Sequence, residues 1–511
     1  MKNDLNNKNC ISDPFPTANI KKHLDYFSPI LLNIVNASLN SGVFPQDLKH
    51  ASVSPILKSK NIDTEMHNNF RPVSSLPFLS KVIEKAAQKQ LTKYLKENQL
   101  IPSLQSAYLS DHSCETALCK VKNDIQKMVS DGKVVVLVQL DLSAAFDTVD
   151  HAALIELLQI SFGIKGTALK FIKSYLSGRS FSVKIRHVRG KTVLLIYGVP
   201  QGSILGPLLF ILYISDMPTI VEKYDVSLHS YADDAQLYIG CNPFVDFTSS
   251  MTKLSNCVKE IEKWMQSKFL KLNIGKTEVL FIAKPQNHAL HNSMEVYIGN
   301  KRYSSSAEHN IYSLGTYFDG TLSMNTMILE CFKSCMYNLK RIKRIRHCLD
   351  EDSRMLIIKT HVLGKIDYCN ILLANCSAVS LRKLTKVLHN AIRFIYGLKK
   401  YDHITEYMKK AHILPIKYRI MYKTCIFVFK ILNGKAPSYL DDFIALRVLP
   451  QRELRSNNDF LIAQQTAYEN TIQYAMIRNW NCLPYDIRSL TSIDIFKSKL
   501  KTFYFEAAFP I

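Results

Sequence analysis

Lys133-Val134-Val135-Val136-Leu137-Val138-Gln139-Leu140 is β-branched and almost wholly apolar, and it limits the architecture more than any other stretch of the chain. A strand that is apolar at nearly every position offers no face to water, so both of its faces need cover. The run therefore predicts a central strand in a sheet packed on both sides. It ends at Asp141, which sets a carboxylate at or near the strand's C-terminal end.

A second acidic site lies further on. Val226-Ser227-Leu228-His229-Ser230 and Ala235-Gln236-Leu237-Tyr238-Ile239 roughly alternate apolar and polar residues around Tyr231-Ala232-Asp233-Asp234. The pattern predicts a hairpin with the acids at its turn, where Asp can bond nearby backbone N–H groups. Adjacent carboxylates repel unless a cation sits between them, yet surface turns often carry two acids, and the pair alone decides nothing. Asp141 changes the weighing. If the two strands lie side by side, three carboxylates meet at one point. Mg²⁺ takes oxygen ligands of this kind, and two such ions clamp the attacking and leaving oxygens of a phosphoryl displacement. The inference is metal-dependent nucleotidyl transfer.

Charge supplies the substrate class. The formal net charge of +22 implies a polyanionic partner, most often nucleic acid. Between Glu330 and Lys430 there are 21 Lys/Arg against 7 Asp/Glu, so the excess is concentrated there. Within it, Lys340-Arg341-Ile342-Lys343-Arg344-Ile345-Arg346 reads as a helix with one face packed and the other on phosphates. A solvated basic face is the competing reading. The 12 Cys include no C-x-x-C pair and read as free thiols in a reducing compartment. Met1 to Cys10 is polar and no apolar run approaches a membrane span, so a soluble, intracellular protein with no membrane partner is expected.

The other elements follow from period and punctuation. Leu24, Phe27, Ile30, Leu31, Ile34 and Val35 mark a helix stopped by Gly42 and Pro45; Ala51–Leu57 is strand-like; Leu79 to Leu95 is an amphipathic helix. Asp150 is placed to cap a helix with Leu154, Leu157 and Leu158 inside, and another helix holds Leu169 to Tyr175. Phe181–Ile185 and Val193–Tyr197 predict a hairpin. Gly198-Val199-Pro200-Gln201-Gly202-Ser203 is a loop opening an apolar helix, Leu205 to Ile214. Ser250 to Leu270 reads as helix, Asn273–Thr277 as a turn into the strand Glu278–Ala283, and the chain from Asn325 as mostly helical. The segment from Leu440 to Ile511 reads as mixed.

Several of these stretches carry a resemblance. Tyr231-Ala232-Asp233-Asp234 resembles the metal-binding hairpin of reverse transcriptases. Asp141-Leu142-Ser143-Ala144-Ala145-Phe146-Asp147-Thr148-Val149-Asp150-His151 resembles the first acidic motif of non-LTR (LINE-type, jockey-like) retrotransposon polymerases. Gly198 to Phe210 is similar to their nucleotide-site loop and helix, Phe70-Arg71-Pro72-Val73-Ser74 to their fingers motif, and Gly275-Lys276-Thr277-Glu278 to the motif near the palm's end. Trp480-Asn481-Cys482-Leu483-Pro484 is similar to the family's tail. All occur in the family's order, from about Asp13 nearly to the C-terminus.

The resemblance implies an α+β right-hand polymerase: fingers, a palm with an antiparallel sheet, a helical thumb and a mostly helical basic C-terminal region. The implied divisions are a lead-in over 1–37, the reverse transcriptase domain over 38–318, the basic thumb-like region over 319–435 and a tail over 436–511. Asp141 and Asp233 would bind two Mg²⁺ ions, replaceable by Mn²⁺, with Asp234 in support. Main-chain N–H groups near Ala144 and Ala145 would hold the triphosphate, and Phe146 would exclude a ribose 2′-OH. Gln201 and Gly202 would lie along nucleotide and template, Arg71 and Lys58 would neutralise phosphate, and Lys276 would protonate pyrophosphate. Asp147 and Asp150 read as a turn acid and a helix cap. Partners would be an RNA template, a DNA primer, dNTPs and a separate endonuclease, because the matched region begins about a dozen residues into the sequence. Leu109 stands where the family usually has a basic residue and Cys114 where it usually has Thr, which leaves a catalytically silent, nucleic-acid-binding relic as the alternative. A palm-type enzyme with another template preference, maturase-like or RNA-copying, is a weaker one, opposed by Phe146.

Overall fold

The structure, a computed structural model, describes Cys10, Asp13 and residues 15–58, 62–143, 145–284, 294–306, 309–444, 462 and 468–510. The strands that position the site are β1 His50–Leu57, β2 Phe70–Ser75, β3 Val134–Leu140, β4 Ser180–Ile185, β5 Ser227–Tyr231, β6 Asp234–Cys241 and β7 Glu278–Ile282. One antiparallel sheet has the spatial order β7-β3-β6-β5. A second has β1 between β2, antiparallel to it, and β4, parallel to it.

The apolar run behaves as its composition requires. Side chains alternate across a strand, and β3 feeds two cores in turn. Val134, Val136, Val138 and Leu140 enter one with Leu208, Phe210 and Ile261; Val135 and Leu137 enter the other with Leu118, Val121 and Phe318. Each fully buried valine or leucine contributes roughly 1.5–3 kcal/mol, so this strand is a main fastening between the two halves. The helix Leu24–Ser41 joins the first core through Leu31 and Val35 and stops at Gly42, which takes φ +66°. Asp150 caps His151–Ile160 by accepting the Ala153 N–H at 2.8 Å.

Four sequence expectations change. The return strand after β4 is split: Val188–Arg189 pairs with Lys184 and Ile185, and only Val193–Leu194 of the Val193–Tyr197 run pairs, with Phe181 and Ser180. The tight turn is Arg186-His187, with Arg186 at φ +53°, and neither residue is a usual turn signal. The Lys340–Arg346 stretch is not one helix. The helix Asn325–Lys343 ends inside it, and Arg346 turns inward to donate Nε to the Phe394 carbonyl at 2.8 Å. Of the last segment, expected to be mixed, residues 445–461, 463–467 and 511 lie outside the described ones; the described part is mainly helical, over Ile472–Asn481 and Ile493–Ala508, because Trp480, Phe496 and Leu500 bury against Phe429 of the helix Ile416–Leu432. Finally, the helix Cys114–Ser130 and the hairpins Glu295–Ile298/Lys301–Ser304 and Asn310–Ser313/Thr316–Asp319 were not expected. No helix among the described residues is long and apolar enough to cross a membrane.

Candidate active site

Strand register assembles the acids. Leu140 of β3 pairs with Ala235 of β6, and Tyr231 of β5 pairs with Asp234 across the hairpin. Asp141, one residue beyond Leu140, therefore comes level with Asp234 and beside the tip at Asp233. Ala232 completes the turn at φ +57°.

The carboxylates feel one another. Burial, and then the Asp141 charge, push the Asp233 carboxyl up, against its own backbone N–H, Arg71 and Lys276. Burial, Asp233 and Asp141 push the Asp234 carboxyl up to about 6. Lys276 Nζ stands 3.3 Å from Asp141 Oδ2, and Asn273 closes the same turn by donating its backbone N–H to the Asp141 carbonyl at 2.9 Å. Among the described residues, no three His, Cys, Asp or Glu side chains are already gathered as a cage for an ion. The donor set nevertheless fits a hard divalent cation. All three groups are carboxylates, and an added positive charge would relieve the repulsion that weakens Asp234 as an acid.

The hairpin is held from behind by the stretch Gln105–Leu109, which resembles the family but to which the sequence assigned no role. Gln105, 3% exposed, accepts the Ala232 N–H and the Ala107 N–H on Oε1, each at 2.9 Å. Its neighbours bond the edge of β5, Ser106 N–H to the Ser230 carbonyl and Ser230 N–H to Leu104. Ser106 Oγ also meets His229 Nε2 at 2.9 Å and Tyr439 Oη at 2.7 Å, so the C-terminal half reaches the hairpin strand. Burial pushes His229 down to about 3 and keeps it neutral.

The loop Gly198–Ser203 is fixed at both ends. Ser74 N–H of β2 donates to the Gln201 carbonyl at 2.8 Å. Buried Glu84 accepts the Ile204 and Leu205 N–H groups at 2.7 and 3.1 Å, where the helix Gly206–Tyr213 begins. Gly202 takes φ +123°, and a Cβ there would lie 2.5 Å from the Ser74 carbonyl oxygen. Gln201 Nε2 donates to both Asp147 oxygens, at 3.0 and 2.9 Å. Asp147 is thus more than a turn acid. Burial pushes its carboxyl up while the Gln201 hydrogen bonds and Lys58 pull it down.

The remaining candidates fall as follows. Phe146 is half-buried, stacked on Phe210 with ring centroids 4.6 Å apart, and met edge-on by Tyr108. Ala145 is buried in the core. Ala144 lies outside the described residues. Arg71 is exposed on β2 and close enough to act on Asp233; Lys58 is exposed and acts on Asp147 rather than on the hairpin.

The chain belongs to the reverse transcriptase (RNA-dependent DNA polymerase) family, whose pattern matches residues 56–316, just over half of it. It is 26% identical over 407 residues to the RNA-directed DNA polymerase from mobile element jockey of Drosophila funebris, covering 75% of this chain and 43% of that one. It is 31% identical over 207 residues to the probable RNA-directed DNA polymerase from transposon X-element of Drosophila melanogaster, covering 39% of this chain and 22% of that one. The chain spans less than half the length of these relatives. Apo telomerase from Candida tropicalis is similar at 12% identity and a TM-score of 0.41, over 81% of this chain and 72% of that one.

Proposed function

We propose that this chain is an RNA-directed DNA polymerase of non-LTR retrotransposon type. The observation that carries the reading is the register that sets Asp141 beside the Asp233-Asp234 tip at one end of the antiparallel sheet. On this reading the β7-β3-β6-β5 sheet is the palm, the β2-β1-β4 sheet belongs to the fingers, and the helices from Asn325 begin the thumb. Asp141 and Asp233 would hold two Mg²⁺ or Mn²⁺ ions, with Asp234 in support. When bound, such ions neutralise charge on the attacking and leaving oxygens.

The chain's own residues do the positioning. Main chain around Ala145, with Arg71 and Lys58, receives the triphosphate. Phe146, backed by Phe210, fills the space a 2′-OH would need. Gln201, aimed by Asp147, and Gly202 line the nucleotide and the template. The primer 3′-hydroxyl gives its proton to solvent as its oxygen bonds to the α-phosphorus and the bond to pyrophosphate breaks, and Lys276 gives the departing group its proton. Catalysis is then mostly orientation and charge compensation. Partners are the RNA template, a DNA primer and dNTPs.

A catalytically silent nucleic-acid binder is the second reading. It is favoured by Lys276 standing on Asp141, where a metal ion would have to displace it. Primer extension on poly(rA)/oligo(dT) with Mg²⁺ or Mn²⁺ decides between them. Wild type should extend and Asp233→Asn should not, with hybrid affinity equal in both. Equal product from the two proteins would leave only the binding reading.

A further inference from the structure

Two cations stand side by side, buried, at the starts of parallel strands. β1 and β4 pair with His50 opposite Ser180, which makes Lys49 and Arg179 neighbours. Lys49 is 6% exposed and Arg179 1%. Arg179 gives Nε to the Tyr175 carbonyl at 2.6 Å and stacks on the Tyr175 ring, 4.1 Å from its centroid. Its Nη1 and Nη2 have no hydrogen-bond partner among the described residues. Burial, and then the Arg179 charge, hold the Lys49 ammonium below the usual lysine range. Buried charges without counter-charge are costly and are ordinarily paired.

Both cations line a cavity of about 230 Å³, walled by Val53, Pro72, Phe181 and Pro200. The one carboxylate among the described lining residues is Asp147, already engaged by Gln201. The cavity is smaller than a drug-sized pocket and suits a single anionic unit with an apolar part. Its place argues against the incoming triphosphate. Along β2, Pro72 and Ser74 share one face and Arg71 takes the other. The cavity lies on the Pro72/Ser74 face, whereas the Arg71 charge reaches Asp233.

We propose that this cavity takes one nucleotide of the unpaired template strand, its phosphodiester on Lys49 and Arg179 and its sugar or base against Phe181 and Pro200. Naming the strand a template rests on the polymerase reading above; the anion site does not.

The test binds the full chain to RNA–DNA primer hybrids that are blunt or carry an unpaired RNA 5′ extension, read by fluorescence anisotropy without dNTP. The extension should tighten wild-type binding by about tenfold, the scale of a charge-assisted contact. A neutral methylphosphonate at one linkage of the extension should remove most of that gain. Arg179→Met and Lys49→Met should lose the gain, while dNTP affinity, read separately as the dNTP KM in primer extension, stays near wild type. The methylphosphonate series needs no substitution, so a misfolded variant leaves the result readable. A gain kept by both variants, or no sensitive linkage in wild type, overturns the site. A loss confined to dNTP affinity overturns the template assignment. Extension-dependent binding without any DNA synthesis sinks the polymerase reading and leaves the anion site; synthesis without that gain does the reverse.

Discussion

Gln105 Oε1 accepts the Ala232 N–H at 2.9 Å, so a residue 127 positions upstream holds the turn that presents Asp233. The same oxygen accepts the Ala107 N–H. Replacing Gln105 with Leu leaves two buried donors unmade, each at about 1–3 kcal/mol. The turn should then loosen. A displacement of an ångström in a catalytic group can reduce turnover about a hundredfold. Gln105→Leu should therefore lower kcat by at least about tenfold while leaving dNTP KM near wild type. Gln105→Glu, which keeps an acceptor oxygen, should recover part of it. Steady-state extension beside a thermal melt checks this; a wild-type kcat in a folded Gln105→Leu protein refutes the pin.

The Asp234 carboxyl is pushed up to about 6 in the metal-free protein. A raised carboxyl binds its proton more tightly folded than unfolded. Metal-free stability from this group is therefore present at low pH and is lost as pH rises from the ordinary carboxylate range through about 6. A divalent ion binds the charged form and offsets the loss. The rise in Tm on adding Mn²⁺ should thus be small near about pH 5 and larger near about pH 7.5. Asp234→Asn should flatten that difference. A Mn²⁺ increment that does not grow with pH in wild type would count against metal binding at these acids.

Phe146 is braced by Phe210 at 4.6 Å and by Tyr108 edge-on. A gate needs that support, because a ring free to swing excludes nothing. Phe146→Ala should raise ribonucleotide use relative to deoxynucleotide by about tenfold or more, the scale of a steric discrimination. It should also lower stability, by up to about 3 kcal/mol. Phe146→Tyr should keep the selectivity. Competition between rNTP and dNTP in primer extension is the measurement, and unchanged selectivity in Phe146→Ala would make the ring core alone.

Much of the site is legible in the sequence because its signals are local. An unbroken apolar strand, an acidic turn and a Pro-Gln-Gly loop can each be read within ten residues. What escapes depends on distant partners. The helix Cys114–Ser130 buries Lys122 and Asn123, which break its apolar stripe. Lys122 is tolerated because its Nζ reaches the Leu372 carbonyl and Asn375, which no local pattern announces. Ser113 and Thr116, which cap that helix reciprocally, were the available clue. Gln105, Glu84, Lys49 and Arg179 are single polar residues whose meaning appears only when their neighbours in space are known.

Gly202 supplies the last prediction. Its φ of +123° suits few residues but glycine, and its Cα faces the Ser74 carbonyl so closely that an added Cβ would lie 2.5 Å away. Backbone cannot yield as a flexible side chain can. Gly202→Ala must therefore separate the loop from β2 and break the bond from Ser74 N–H to the Gln201 carbonyl. Strain of this kind is worth about 1–3 kcal/mol. Because the acids stand on another sheet, the damage should fall on substrate handling: KM for dNTP and hybrid should rise severalfold, with the Mn²⁺ stabilisation kept. Ser74→Ala, which retains the backbone contact, should leave the KM for dNTP at its wild-type value. If Gly202→Ala extends primers with unchanged KM, the contact between loop and β2 is absent from the working enzyme.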